Sequence, residues 1–243
     1  MNAFSFYRHL YAPLVLASLF AVTTSQADES IPIPAFKASY TVSRAGITVG
    51  KAVLQLEYEA PTRYRIRSSL KTNALASLIT TRDENEEVVG ELVDGMPRPL
   101  RYHAEKTGSE LRTVSMDFDW DRGRVTTEVD GRQRCLRLGH QTVDPLSLHL
   151  LTMLDLQRGE LADAYEVAGH DRLKTYQIQS LGETSIEAPI GEMTAWAVSR
   201  QRPQSRKATI FWHAPELGFL PIQVSRTKDG AEKSRLTIER LKR

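Results

Sequence analysis

Apolar and polar side chains alternate with a period of two along most of the chain beyond residue 36. Runs 40–42, 64–66 and 114–120 show the alternation clearly, and later runs place Trp196 and Val198, then Ile210 and Trp212, at the apolar positions. A strand with this pattern has one buried face and one wet face, as strands of antiparallel sheets do. The pattern predicts about a dozen half-buried strands with short links.

Short turn sequences separate the alternating runs. These dipeptides are Ala45-Gly46, Asp94-Gly95, Gly108-Ser109, Asp130-Gly131 and Asp229-Gly230. Asp-Gly tolerates the positive φ angles that tight hairpin turns require. Because the links are short, consecutive strands are expected to pair as an antiparallel meander without parallel crossovers.

Two segments follow a helical period instead. Residues 72–80 place Leu75, Leu78 and Ile79 on one side of a short helix. A stronger helix is predicted after Asp144, which can cap the free amides, and Pro145, which suits the first turn. Its apolar residues include Leu146, Leu150, Met153 and Leu154, and leucines outside this stripe predict burial on most sides.

The first residues are typical of a secretory signal peptide. Arg8 precedes the apolar run 10–22, and Ser25-Gln26-Ala27 supplies small residues for cleavage after Ala27. The run is shorter than the roughly 18 apolar residues of a spanning helix. We therefore expect a signal peptide at 1–27, an extended leader at 28–35 and a single β-rich domain at 36–243, with no transmembrane segment after cleavage.

Charge and cysteine content restrict the function classes. The chain carries 32 Lys and Arg against 30 Asp and Glu, so it lacks the concentrated basic excess typical of nucleic-acid binding. Cys135 is the single cysteine and alternates with polar residues, which predicts a half-buried position on a strand. Oligomeric state is left open by the sequence.

An ordered set of short motifs resembles the family of domain of unknown function 3108. The motifs are Tyr40-Thr41-Val42, Gly46-Ile47-Thr48-Val49-Gly50, Gly95-Met96-Pro97-Arg98-Pro99, Met116-Asp117-Phe118-Asp119, Val143-Asp144-Pro145-Leu146-Ser147, Pro189-Ile190-Gly191, Phe211-Trp212 and Leu220-Pro221-Ile222. Members of that family are exported proteins of Gram-negative bacteria, so the resemblance implies a periplasmic location and no known activity. The architecture is also similar to that of bacterial lipoprotein carriers. That likeness implies a mainly β fold in which the meander forms a curved sheet or half-barrel, with one or two short amphipathic helices on its concave face.

The strongest candidate for metal binding is an acidic stretch. Asp117, Asp119, Asp121 and Glu128 have the spacing of calcium-loop ligands, but Arg122 occupies the position that needs glycine. A hairpin with Phe118 and Trp120 facing the core is favoured. The histidines are scattered, and no nucleophile or phosphate-binding motif is present. The sequence therefore predicts no metal, no cofactor and no enzyme activity.

A basic cluster is predicted at a turn between two late strands. It contains Arg200, Arg202, Arg206 and Lys207 around Pro203. Such a cluster is either a solvated loop or a contact for anionic headgroups or an acidic partner.

The favoured function is binding of an apolar ligand, or of a lipidated or hydrophobic envelope component. The residues predicted to line the space between sheet and helices are Leu75, Leu78, Ile79, Leu146, Leu150, Met153, Leu154, Trp196 and Trp212. The same residues could form an ordinary packed core. The alternatives are a structural or protein-interaction module in envelope assembly and, more remotely, an undetected hydrolase.

Overall fold

The computed structural model describes residues 33–73, 83–107 and 111–243, which form fourteen strands, one α-helix and a short 3-10 helix. The first eight strands are β1 (Phe36–Arg44), β2 (Ile47–Ala60), β3 (Arg63–Thr72), β4 (Asp83–Val93), β5 (Met96–Thr107), β6 (Arg112–Asp119), β7 (Arg124–Val129) and β8 (Arg132–Arg137). The helix α1 (Ser147–Arg158) follows. The remaining elements are β9 (Ala164–Ala168), β10 (Leu173–Ala188), β11 (Gly191–Gln201), β12 (Lys207–Ala214), the 3-10 helix (Pro215–Leu217), β13 (Leu220–Lys228) and β14 (Ala231–Lys242).

All fourteen strands belong to one sheet in the order β8-β7-β6-β5-β4-β3-β2-β1-β14-β13-β12-β11-β10-β9. Every neighbouring pair is antiparallel, and β1 pairs with β14, so the two halves of the chain join at the middle of the sheet. The sheet curves around α1 without closing, and β8 and β9 are its edges. The predicted mainly β meander, curved as a half-barrel around a helix, is confirmed.

The turn chemistry explains the tight links. Both residues of Ala45-Gly46, Asp94-Gly95, Asp130-Gly131 and Asp229-Gly230 have positive φ, from 49° to 80°. Two such residues in succession make the type I′ turn, whose twist matches that of paired strands. The Gly108-Ser109 turn lies outside the described residues, as does most of the helix predicted at 72–80.

Helix α1 begins and ends as the sequence predicts. The Oδ1 atom of Asp144 accepts hydrogen bonds from the amides of Leu146 (2.8 Å) and Ser147 (3.1 Å). Gly159 ends the helix in the left-handed region at φ 72°. All but three of its twelve residues are buried, because the curved sheet surrounds it on several sides.

The core lies between α1 and the inner face of the sheet. The inner-face residues with little or no exposure include Ala38, Tyr40, Ala52, Leu56, Tyr64, Ile66, Val88, Tyr102, Ala104, Val114, Met116, Phe118, Val125 and Ile238. They occupy alternate positions that face one another across the register of successive strands. Alternation therefore identifies the inner face correctly over the first half of the sheet.

Two local predictions have different outcomes. Residues 117–128 form the predicted hairpin of β6 and β7, with Phe118 buried and Asp117 outward. Cys135 is exposed, so the prediction of a half-buried thiol is wrong. It lies on the edge strand β8, where five of the six residues are exposed because little packs over that strand.

No helix within the described part of the chain is long and apolar enough to cross a membrane.

Candidate functional site

The curved sheet forms a half-open cavity of about 1540 Å³ beside the first turns of α1. In an antiparallel meander, the turns that follow odd-numbered strands lie at one end of the sheet, which is called the open end below. Cavity-lining residues such as Arg44, Thr107, Asp130 and His170 lie at these turns. The opposite end is filled by α1, whose Arg158 reaches the carbonyl of Gly95 in the turn after β4 (3.4 Å).

The wall of the cavity combines apolar and charged side chains. The apolar wall residues include Val42, Ala52, Leu70, Val114, Met116, Val167 and Leu236. Seven Lys or Arg line the cavity against three carboxyl groups; these are Arg44, Lys106, Arg112, Lys174, Arg200, Arg226 and Lys233, and Glu84, Glu86 and Asp130. The cavity is therefore amphipathic and basic, whereas the residues predicted from the sequence to line a ligand site are all apolar.

One wall carries a compact group of acids. Glu84 and Glu86 alternate along β4, so both point inward, and Lys106 pairs with Glu84 and lies 3.6 Å from Glu86. The Tyr102 hydroxyl donates a hydrogen bond to Glu86 (2.9 Å). Burial and the adjacent Glu84 raise the pKa of Glu86 to about 7. Burial opposes ionisation of Glu84 too, but hydrogen bonds from Glu86 and Lys106 lower its pKa overall.

The other wall stacks an arginine on aromatic rings. The Arg200 guanidinium lies 4.6 Å from the ring centre of Phe211 and 5.5 Å from that of Tyr176. His149 of α1 meets the edge of Phe211, with ring centres 5.5 Å apart. Burial, and then the nearby Arg200 and His213, lower the pKa of His149 to about 3, so the imidazole is neutral at ordinary pH. Burial lowers the pKa of Arg200 to about 10, which leaves it charged.

The predicted helix residues lie outside this cavity, in the packed core between α1 and the sheet. Leu146, Leu150, Met153 and Leu154 are each at most 2% exposed and pack into the main core. The cavity touches α1 and its approach through Pro145 and His149 instead. The remaining predicted residues from the first helix, Leu75, Leu78 and Ile79, lie outside the described residues.

The two predicted tryptophans do not line the cavity. The inward residue of β12 is Phe211, because its partner Val198 faces α1, and Trp212 therefore points to the opposite face of the strand. Trp196 shares a face with Val198 but is 36% exposed, whereas Val198 is buried against Leu148 and Leu151. The helix packs over only part of β11. Alternation therefore predicts the face on which Trp196 lies, but it does not predict whether Trp196 is buried.

The predicted basic cluster is divided by the structure. Arg202, Arg206 and Lys207 are exposed at the turn between β11 and β12, and Arg206 pairs with Asp229. Arg200, two residues before Arg202, faces inward and lines the cavity. Its assignment to the surface cluster is wrong, because it lies within β11, before the turn begins.

Sequence reasoning missed Glu84, Glu86, Lys106 and Arg226 as cavity residues. The sequence held a signal for the first two. Apolar Val88 is expected on the inner face of its strand, where the structure buries it, and Glu86 and Glu84 lie two and four residues earlier on that same face. Within the described ranges, no group of three or more His, Cys, Asp or Glu could hold a metal ion.

Two solved structures are similar to this chain at low sequence identity. A β-barrel-like protein of domain of unknown function DUF1849 from Brucella abortus is similar with a TM-score of 0.56 and 11% identity, over 85% of this chain and 96% of that one. A protein with a YmcC-like fold from Bacteroides fragilis aligns over 86% of this chain and 95% of its own, with 10% identity and a TM-score of 0.37.

No curated protein matches the chain. A family model does: the model described as protein of unknown function (DUF3108) matches residues 39–237. This range runs from β1 into β14 and includes every strand of the cavity wall. The chain therefore belongs to the DUF3108 family.

Proposed function

We propose that the protein is a non-enzymatic periplasmic binding protein that holds one amphipathic envelope molecule, with the apolar part in the cavity. The observation that carries this proposal is the volume of about 1540 Å³ beside α1, with an opening at one end. Ligand pockets in proteins typically occupy about 300–1,000 Å³. The space is therefore large enough for a molecule with a long acyl chain.

The apolar wall supplies the driving force. Val42, Leu70, Val114 and Met116 come from three strands of the first half of the sheet, β1, β3 and β6, and line the same space. Each methylene of an acyl chain that leaves water there contributes about 0.8 kcal/mol. A chain of ordinary length can therefore bind at micromolar strength with only part of it covered.

The histidine deepest in the cavity favours binding over catalysis. Of the two histidines in the lining, His149 contacts the ring of Phe211, whereas His170 at the open end lies 3.6 Å from Asp171. A general base works best with a pKa near the working pH, whereas the pKa of His149 is about 3. Glu86, whose pKa is about 7, already accepts a hydrogen bond from Tyr102 and lies 3.6 Å from Lys106.

The test is a fluorescence titration with dansyl-labelled undecanoic acid. Leu70→Trp puts an indole into the cavity, whereas Ser69→Trp puts the same ring on the outer face of the same strand. We expect the parent protein to bind at micromolar strength, Leu70→Trp to weaken binding roughly tenfold or more, and Ser69→Trp to bind as the parent does. A parent protein that does not bind the probe, or equal effects of both variants, would overturn the proposal.

A second candidate is an interaction module in envelope assembly, which one observation favours. Strand β8 (Arg132–Arg137) is an exposed edge with no strand on its outer side among the described residues. An open edge can accept a strand from a partner, although its arginines oppose uncontrolled pairing. Hydrogen exchange with and without envelope extract is the test, and unchanged exchange of the 132–137 amides would argue against this candidate.

A further inference from the structure

Arg200 is an inward-facing cation without a carboxylate partner. No carboxylate of the described residues lies within ion-pairing distance of it, and its guanidinium lies over the rings of Phe211 and Tyr176. Protein atoms surround it on most sides, while part of its surface remains open to the cavity. The guanidinium therefore presents its N–H donors to the cavity rather than to the protein.

The acids on the facing wall do not neutralise Arg200. Glu84 is paired with Lys106, and Glu86 is hydrogen-bonded by Tyr102 with its pKa raised. Arg226 lines the same cavity and adds a second positive charge near Arg200. The neighbourhood of Arg200 is therefore positive on balance, because Glu86, whose charge reaches Arg200, lies beyond ion-pairing distance and its raised pKa keeps part of it protonated near pH 7.

A charge in this position is costly unless something else satisfies it. Desolvation of an unpaired guanidinium is unfavourable, and the two aromatic faces recover only part of that cost. A planar guanidinium fixed by stacked rings matches a carboxylate or a phosphate, each of which can accept two parallel hydrogen bonds. The site thus has the charge, the donors and the rigidity of an anion receptor.

We infer that Arg200 binds the anionic group, a carboxylate or a phosphate monoester, of an amphipathic ligand whose apolar chain lies along Leu70, Val114 and Met116. The inference rests on the proposed function and adds the class of head group. The ligand class is a long-chain acid or a long-chain phosphate, and neutral lipids of the same length are excluded from tight binding.

The experiment compares charged and neutral molecules of matched chain length. The affinity for dansyl-labelled undecanoic acid is compared with the affinity for its methyl ester, each by direct fluorescence titration. The affinities for hexadecyl phosphate and hexadecanol are compared by displacement of the dansyl-labelled acid. The variants are Arg200→Met, which removes the inward cation, and Arg202→Met, which removes the same charge from the exposed turn two residues away. Thermal melting of each ligand-free variant is recorded in parallel.

We expect Arg200→Met to weaken binding of both anions by about thirtyfold or more, the size expected when one partner of a buried charge pair is lost. Ester binding should be unchanged in that variant, and Arg202→Met should bind every probe as the parent does. Because an unpaired inward charge destabilises the empty protein, ligand-free Arg200→Met should melt no lower than the parent. If Arg200→Met weakens binding of only the phosphate or only the acid, that anion is the head group that Arg200 binds. Either result supports the inference.

Equal binding of acid and ester by the parent, with no effect of Arg200→Met, would overturn the anion inference and leave the proposed function intact. Failure of all four molecules to bind would overturn the proposed function itself. A fall in melting temperature of Arg200→Met together with equal weakening of acid and ester would show a structural role for Arg200 and would also overturn the inference.

Discussion

The hydroxyl of Tyr64 on β3 and the Oγ of Ser147 at the start of α1 lie 2.7 Å apart, and both residues are fully buried. Gly90, opposite Tyr64 on β4, makes room for the ring, because a Cβ there would overlap it. Burial raises the pKa of Tyr64 well above its usual value, so the hydroxyl stays protonated. The contact fixes the first turn of the helix to the sheet and so sets the depth at which the cavity begins.

Tyr64→Phe should destabilise the protein by about 1–2 kcal/mol. The substitution keeps the ring but leaves the buried Ser147 hydroxyl without this partner. Urea unfolding measures the change. In a double-mutant cycle with Ser147→Ala, the two effects should be less than additive, and full additivity would show that the hydrogen bond contributes nothing.

Leu150→Trp and Met153→Trp should each destabilise the protein by about 1–3 kcal/mol, because both side chains are 1% exposed in the packed core and a larger ring has no space there. Thermal melting is the measurement. Leu70→Trp is the matched comparison and should melt close to the parent, because its ring extends into the cavity. Near-parental melting of Leu150→Trp would mean that the cavity extends along the helix.

Stability should fall as pH rises from about 4.5 to about 7 through the contribution of Glu86. The folded protein holds a proton on this carboxyl across a range in which the unfolded chain has released it, so deprotonation favours unfolding. Glu86→Gln removes this effect and should stabilise the protein by about 1–2 kcal/mol near pH 8 and by much less near pH 4.5, as measured by urea unfolding.

Glu87→Gln is the control for that prediction. Glu87 lies next to Glu86 but faces outward, where it pairs with Arg65 and Arg67 while 38% exposed. Exposed ion pairs contribute little, so this variant should change stability by less than about 1 kcal/mol at either pH. An equal stabilisation by both variants would place the effect in general surface charge instead of the cavity.

Export should remove the first 27 residues. The apolar run 10–22 and Ser25-Gln26-Ala27 place cleavage before Asp28. Mass spectrometry of protein recovered from the periplasm should find Asp28 at the N-terminus, or a residue within about three positions of it. Recovery of the chain with Met1 intact, and only from the cytosol, would contradict the proposed location.

Most of the fold follows from the sequence, because the forces that set its turns and helix ends are local. Asp-Gly turns require positive φ at both positions, and antiparallel hairpins follow from links of two residues. Asp144 caps α1 through amides only two and three residues away. The leucines of α1 lie on more than one side of the helix, which predicted burial on several sides, and the curved sheet surrounds the helix in this way.

The site depended on tertiary structure, because its residues come together from distant parts of the chain. Alternation assigns a face of a strand, but only the register decides which face is inward where both carry apolar residues, as for Phe211 and Trp212. Only the position of α1 decides where that inner face is packed core and where it is cavity. Arg200 has the sequence context of a surface loop. In the structure β11 continues to Gln201, so Arg200 still belongs to the strand and shares the inward face of Val198 two residues earlier.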